Sequence, residues 1–487
     1  MPKITVMPGG AVLSAEAGEN LLQALRRQGV FVDAPCGGQG SCGKCTVWIE
    51  DREVSACRTT VKGDMTVTIP RKAQENILFC GKAGEMSMDS YRDGYRLAFD
   101  IGTTSVACYL LDEAAGEVLA RQGSSNPQSA YGADVISRIR AALAGEGERL
   151  TGAIRKAITE LTLAVCRQAQ ISPESIGVVS VVGNPAMQQL FLGISPENLV
   201  RPPFAPVLTE GKIVPCGEYL PVCPNGILLI VPDISGYVGA DTVACVLSAG
   251  MYQAEELTLL VDIGTNGELV LGDRNRMIAC ATAAGPALEG ANLRFGMRGE
   301  MGAIDHVRRE DGTLCCHVIG GGAAKGICGS GLVDAVAVVL DGGLLNSRGK
   351  ILTGDRVPLT EDIYLTQEDI RQVQLAKGAV SAGIRLMAQA LGVQLTDIRR
   401  VLLAGAFGNA LDPDNACRIG LLPEELHGRI TSVGNAAGSG ARMLACDRGM
   451  LQLAQKLAEK IEFLELADVP GFPRAFASAM RFREGKA

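Results

Sequence analysis

The sequence predicts a multidomain protein of α/β and α+β class, a small β-grasp domain followed by two similar α/β lobes. Three observations carry this. Short strands with a single helix fill residues 1–72. Beyond them, apolar strands alternate with helical stretches, the mark of an α/β fold. A strand–turn–strand unit occurs twice, as AFDIGTTSVACYLLD and LVDIGTNGELVLGD, about 160 residues apart. A duplication at that distance implies two lobes facing each other.

The elements follow in order. KITVMP alternates apolar and polar residues, and AVLSA follows a turn at Gly9–Gly10. Leu21, Leu22 and Leu25 share one face of a short helix ending near Gly29. A cysteine-rich loop leads to the strand CTVWIE, a turn at Asp51–Arg52, and the strands EVSAC and MTVTIP. This order predicts the β-grasp domain over 1–72, with 73–94 as a linker, a first lobe over 95–255 and a second over 256–487. Strands are expected at RLAFDIG, IGVVSVVGN, GILLIVP, LTLLVDIG and RRVLLAGAFG, and helices at 151–168, 366–391 and 437–447. Thr366 with Asp369 makes a capping-box-like start to the second helix, and Ile370, Val373, Val380, Ile384, Met387 and Leu391 follow at helical spacing.

Composition narrows the function. Aromatic residues are 4% of the chain and the net charge is −7, with no dense basic stripe. Nucleic acid and anionic membranes are therefore not expected as partners. No 18-residue uncharged apolar run occurs and MPKITVMPGG lacks a signal-peptide core, so a cytoplasmic protein is expected. Sixteen cysteines then read as metal ligands plus buried thiols rather than disulfides. With only three histidines, His306, His317 and His427, a histidine general base is not expected.

Four cysteines, Cys36, Cys42, Cys45 and Cys57, stand in the pattern C-x5-C-x2-C-x11-C. An iron–sulfur site needs converging thiolates, three from one loop and the fourth from a neighbouring strand. Gly37, Gly38, Gly40 and Gly43 let that loop turn its N–H groups toward sulfur. Zinc is the alternative, though it favours paired C-x2-C knuckles and only one such pair is present. The other cysteines, among them Cys80, Cys315, Cys316 and Cys328, read as structural.

The hairpins begin DIGTTSV at Asp100 and DIGTNGEL at Asp262. A carboxylate at a strand end beside a tight turn can hold Mg²⁺ through water or orient an attacking water. The turn's N–H groups and hydroxyls can grip phosphate. A later Gly-rich strand end, LLAGAFGN, strengthens the nucleotide reading.

CGGQGSCGKC resembles the loop of plant-type [2Fe–2S] ferredoxin domains, although the spacing differs and x11 resembles the iron–sulfur subunits of succinate dehydrogenases. The two hairpins with LLAGAFGN resemble the acetate and sugar kinase/heat-shock chaperone/actin superfamily, which implies a two-lobed actin-like (ribonuclease-H-like duplicated) ATPase. That resemblance makes Asp100 and Asp262 the catalytic and Mg²⁺ carboxylates. It makes Gly102, Thr103, Thr104, Gly264, Thr265 and Asn266 the phosphate contacts, and Gly405, Ala406, Phe407 and Gly408 the adenosine side. GICGSGLVDAV and SVGNAAGSGARML read as Gly-led helices joining the lobes, or simply as packed helices.

The ferredoxin–ATPase fusion resembles the reductive activators of corrinoid proteins. So do NPQSAYGADVISRI, GNPAMQQLFLG, PDISGYVGADTVA, CATAAGPALEGANLRFGMRGEMGAI, VQLAKGAVSAGI and AGAFGNALDPDNACRIGLLP. The resemblance implies a [2Fe–2S] cluster, ATP and Mg²⁺ as cofactors. It implies a corrinoid protein of a methyltransferase system as partner, an upstream low-potential electron donor, and a job of returning Co(II) to Co(I); a homodimer stays open. This chain has little between its ferredoxin domain and first hairpin, where longer members carry more. Two alternatives remain: an ATP-driven activator of another low-potential enzyme, such as a dehydratase, and a non-catalytic redox- and ATP-responsive binding module.

Overall fold

A computed structural model describes residues 1–30, 32, 34, 37–40, 43–70, 77–79, 81, 91, 93–264, 266–310 and 313–483. Cys36, Cys42, Cys80 and Thr265 lie outside the described residues.

The N-terminal domain is β1 (Lys3–Met7), β2 (Ala11–Ser14), α1 (Leu21–Arg27), β3 (Thr46–Ile49), β4 (Arg52–Ser55) and β5 (Met65–Thr68). The strands form one sheet in the order β2-β1-β5-β3-β4, with β1 and β5 parallel. Leu21, Leu22, Ala24 and Leu25 turn one face of α1 into this core, beneath Ile4, Val47 and Val67. Two expectations shift by a residue or more. The β3–β4 turn is at Glu50–Asp51, both at positive φ (47° and 62°), the left-handed pair that matches a tight hairpin's twist. Cys57 sits not on a strand but in the 3₁₀ turn Ala56–Arg58 that follows β4.

The first lobe contains β6 (Tyr95–Ile101), β7 (Ser105–Leu111), β8 (Val118–Ser125), α2 (Val135–Ala141), α3 (Gly147–Ala169), β9 (Ile176–Gly183), α4 (Pro185–Leu192), β10 (Lys212–Pro215), β11 (Ile227–Ile230) and α5 (Ala240–Ser248). Its sheet runs β10-β11-β9-β6-β7-β8. The second lobe begins with β12 (Thr258–Ile263), β13 (Gly267–Gly272), β14 (Met277–Thr282), β15 (Ala303–Glu310), β16 (Thr313–Val318), β17 (Gly326–Ile327) and α6 (Gly329–Asp341). It continues with β18 (Arg356–Pro358), β19 (Tyr364–Thr366), α7 (Gln367–Leu391), β20 (Arg400–Ala404), α8 (Gly405–Ala410), α9 (Pro413–Ile419), β21 (Ile430–Gly434), α10 (Ala436–Cys446), α11 (Arg448–Lys460), β22 (Glu462–Phe463) and α12 (Phe472–Ala479). Its main sheet runs β21-β20-β12-β13-β14-β22. The Thr366–Asp369 capping box forms in full at the start of α7.

The duplication is visible in register. β6 pairs antiparallel with β7 and parallel with β9, and β12 does the same with β13 and β20. Asp100 lies opposite Val182, and Asp262 opposite Ala404, at equivalent sheet positions. One apolar core belongs to both lobes, joining Ala98, Tyr109 and Val178 to Leu260, Leu402 and Ala441. Within it α5 and α10 cross. A Cβ at Gly440 would lie 2.1 Å from the Ala244 carbonyl oxygen, so only glycine permits this approach. No helix among the described residues is long and apolar enough to cross a membrane.

Candidate functional site: a carboxylate-lined cleft beside a cysteine loop

A cavity of about 540 Å³ opens between the lobes. Both hairpins reach it. Asp100, Gly102, Thr103, Thr104, Asp262, Gly264 and Asn266 line it, together with Gly405, Ala406 and Phe407. Gly408 does not line the cavity; it packs on β20, where a Cβ would lie 3.2 Å from Leu403 Cβ. Gly405 is needed at the carboxylate itself. It holds φ +80°, and a Cβ there would stand 2.5 Å from Asp262 Oδ1.

The turns are closed by backbone bonds, Gly102 N–H to Ser105 O at 2.9 Å and Gly264 N–H to Asn266 O at 2.8 Å. Residues outside the hairpins brace the first turn. Asn126 donates to Gly102 O at 2.8 Å, Asn184 donates to Thr103 Oγ1 at 3.1 Å, and the fully buried Arg138 donates to Thr103 O and Gly132 O. These residues explain why NPQSAYGADVISRI and GNPAMQQLFLG stand where they do. Each supplies a polar group that fixes the first hairpin's turn. Across the cleft, Thr104 Oγ1 donates to the Glu289 carboxylate at 3.3 and 3.2 Å.

The two hairpin acids carry different partners. Asn435, the N-cap of α10, donates through Nδ2 to Asp100 Oδ2 at 2.9 Å. Cys245 on α5 donates its S–H to Asp262 Oδ2 at 3.6 Å. Each acid is thus touched by a crossing helix of the opposite lobe. Burial raises Asp100 from an ordinary 3.8 to about 6, against the pull of the Asn435 bond and with a further push from Asp262. Burial likewise raises Asp262 to about 6, opposed by the Cys245 bond and assisted by the Glu289 charge. Asp241 and Glu268 also line the cavity, and burial first, then neighbouring carboxylates, push both upward. Crowding of buried carboxylates keeps these acids prone to protonation.

Sequence reasoning missed Asp241, Glu268, Glu289, Asn435 and Cys245. The available signal for Asp241 was its place in GADT at the head of α5, where an acid meets a helix start. Cys245 was grouped with the structural thiols, and only the crossing of α5 brings it to Asp262. The three histidines each pair with an aspartate: His306 with Asp334 at 2.9 Å, His317 with Asp305 at 2.5 Å, and His427 with Asp414 at 2.8 Å.

In the N-terminal domain, the described half of the cysteine set is consistent with a sulfur-bound cluster. Cys45 is buried and its Sγ accepts the Cys57 N–H at 3.4 Å, a bond of the kind that surrounds cluster sulfurs. Gly37, Gly38, Gly40 and Gly43 all adopt positive φ. The loop rests on both lobes. Lys44 donates to Gly296 O at 3.3 Å, and Arg26, which also donates to Gly37 O, lies 5.6 Å from the Tyr131 ring centre.

Comparison with known proteins matches three stretches of the chain. Residues 4–80 match the 2Fe-2S iron-sulfur cluster binding domain, 95–254 the RACo middle region, and 256–487 the C-terminal ASKHA domain of RACo. The corrinoid activation enzyme RamQ of Eubacterium limosum is 37% identical over 418 residues, covering 78% of this chain and 69% of that protein. The [Co(II) methylated amine-specific corrinoid protein] reductase of Methanosarcina barkeri is 27% identical over 405 residues, covering 75% and 73%. Among solved structures, a reductive activator for corrinoid, iron-sulfur protein superposes with a TM-score of 0.72 at 28% identity, covering 99% of this chain and 98% of that one. With its ferredoxin-type domain and actin-like lobes in this order, the chain belongs to the family of reductive activators of corrinoid proteins.

Proposed function

We propose that this chain is an ATP-dependent reductive activase, which returns the inactive Co(II) form of a methyltransferase system's corrinoid protein to Co(I). The observation that carries this reading is the joining, in one chain, of a cysteine-loop domain to a cleft lined by duplicated hairpin acids. The segment that connects them, through Ile77 and Leu78, lines the same cleft.

Cys36, Cys42, Cys45 and Cys57 would hold a [2Fe–2S] cluster, which when bound supplies a one-electron carrier. Its electron would come from an upstream low-potential donor, and the corrinoid cobalt would be the substrate that gains it. Each ~100 mV of uphill transfer costs about 2.3 kcal/mol. Nucleotide binding can meet that cost only by favouring one shape of the complex over another.

Asp100 and Asp262 would hold Mg²⁺ through water, with Gly102, Thr103, Gly264, Thr265 and Asn266 on the phosphates. Gly405, Ala406 and Phe407 face the adenosine. Thr104 reaches phosphate by letting go of Glu289, so phosphate binding and the cross-cleft bond are alternatives. Asp241 stands among these acids and can take the proton of the attacking water as the γ-phosphoryl bond to its leaving oxygen breaks. We read the protein as cytoplasmic, with no nucleic-acid or membrane partner.

The test combines anaerobically reduced protein, a Co(II) corrinoid protein and Mg·ATP, with Co(I) absorbance as readout. An ATP-dependent rise is expected. Full reduction without ATP, or none with it, would remove the proposal.

A further inference from the structure

We infer that Asn435 is a positioning residue that ties the nucleotide-facing acid Asp100 to the connector bearing the cysteine-loop domain. This deepens the proposed function and rests on its nucleotide assignment. Asn435 is 8% exposed, and its whole amide is used. Oδ1 accepts the Gly438 N–H at 2.6 Å, capping α10. Nδ2 donates to Asp100 Oδ2 at 2.9 Å and to the connector carbonyl Leu78 O at 3.2 Å. One planar group therefore touches the first lobe's acid and the connector while belonging to the second lobe.

The connector is pressed into place around that contact. Gly81 bridges antiparallel to Gly434, the residue before Asn435. A Cβ at Gly81 would lie 2.4 Å from Asn435 O and 2.4 Å from Ser439 Oγ. On the other side, Tyr109 of the first lobe donates its hydroxyl to Phe79 O at 3.3 Å and meets the Phe79 ring edge-on at 5.8 Å. The connector is thus gripped by both lobes at once.

Asp100 and Asn435 sit on different lobes, so lobe movement changes their separation. A cation on Asp100 also competes with Asn435 for the carboxylate's lone pairs. Both events reorient the amide, and the bond to Leu78 O cannot stay as it is. Coupling of this kind is reciprocal: a connector held or displaced must change nucleotide affinity by the factor through which nucleotide changes the connector.

The test uses the full-length, cluster-loaded protein without any corrinoid protein. Amide hydrogen exchange at Ile77, Leu78 and Phe79 is measured with and without Mg²⁺ and a non-hydrolysable ATP analogue, alongside analogue affinity. Wild type should change exchange roughly tenfold. Asn435→Ser retains an N-cap oxygen but has no amide to span both partners. It should still bind the analogue, with the connector response reduced to less than about twofold. Gly81→Ala displaces the connector without altering any acid, and should shift analogue affinity while remaining folded at a lower melting temperature. Should Asn435→Ser fail to fold, Gly81→Ala decides alone.

An indifferent connector in wild type, a full response in Asn435→Ser, or unchanged affinity and response in Gly81→Ala would each overturn the inference. Failure of the corrinoid assignment would look different: no Co(I) from wild type, with the connector response intact.

Discussion

The hairpins at Asp100 and Asp262 descend from one strand–turn–strand plan, yet they are held differently. Asp100 receives an amide N–H from Asn435, while Asp262, among the described residues, receives a thiol from Cys245 and leaves no room for a Cβ at Gly405. An amide is a strong donor and a thiol a weak one. Burial nevertheless raises both acids to about 6. Sheet position and desolvation are thus common to the two copies, whereas the hydrogen-bond partner is where they diverge. The divergence falls on the helices that cross between lobes, so each acid reports on the position of the lobe opposite.

The strongest test of this pairing removes charge while keeping shape. Asp100→Asn and Asp262→Asn should each lower steady-state ATP hydrolysis by about a hundredfold or more, the scale of one preorganised electrostatic contact. A loss confined to one variant would show that only one hairpin carries cation chemistry.

Proton titration should come next in size. On the proposed Mg²⁺ role both acids must be ionised, so hydrolysis should fall by at least about tenfold per pH unit below about 6. Stability should run the other way. Each folded acid binds its proton more tightly than its unfolded form at 3.8, so the pair's contribution to the stability of the nucleotide-free protein falls as pH rises from 3.8 to about 6. Above that window the contribution is flat, and Mg²⁺ should restore what was lost. Melting curves across pH, with and without Mg²⁺, check the sign. A wild type that loses no stability across this window relative to the Asp100→Asn/Asp262→Asn double variant would contradict the burial of the pair.

The same comparison shows what could be read from residues alone. The repeat, the strand ends and the acids were legible because DIGT puts a chemically distinctive residue at a fixed place in a local pattern. The Thr366–Asp369 cap was legible for the same reason. Asn435 and Cys245 were not, since their roles arise only when α5 and α10 cross, and local pattern carries no information about crossing. Asp241 lay in a stretch noted only for its family resemblance, PDISGYVGADTVA; neither its helix start nor its convergence with Asp100 and Asp262 was read. Gly408 was read with its neighbours, but once α8 turns, it faces β20 rather than the cavity. In the cysteine loop, the glycine positions foretold the positive-φ backbone at Gly37, Gly38, Gly40 and Gly43. The tight left-handed turn at Glu50–Asp51 was displaced by one residue because no Asn or Gly marked it.

The clasp between Thr104 and Glu289 should be a smaller lever. Glu289→Gln removes the acceptor charge opposite Thr104 and a charge that raises Asp262. Thr104 then turns to phosphate at less cost, and ATP should bind about fivefold more tightly, the worth of one net hydrogen bond. Weaker binding would mean that Glu289 itself helps to hold the cation.

The smallest expected effect concerns Cys245, and it bears most directly on the difference between the hairpins. Its S–H stabilises the ionised form of Asp262. Cys245→Ala deletes that bond, so the Asp262 pKa should rise and the acid limb of the hydrolysis profile move to higher pH. Cys245→Ser replaces a weak donor with a stronger, shorter one, so the limb should move to lower pH. A thiol bond is worth less than the ~1.4 kcal/mol that shifts a pKa by one unit, so both movements should stay below about one pH unit. The opposite signs are what matter. A packing defect would lower activity at every pH and leave the limb in place, whereas a donor effect slides it in two directions. If Ser and Ala move it the same way, the thiol is filler between α5 and β12, and Asp262 is tuned by burial and Glu289 alone.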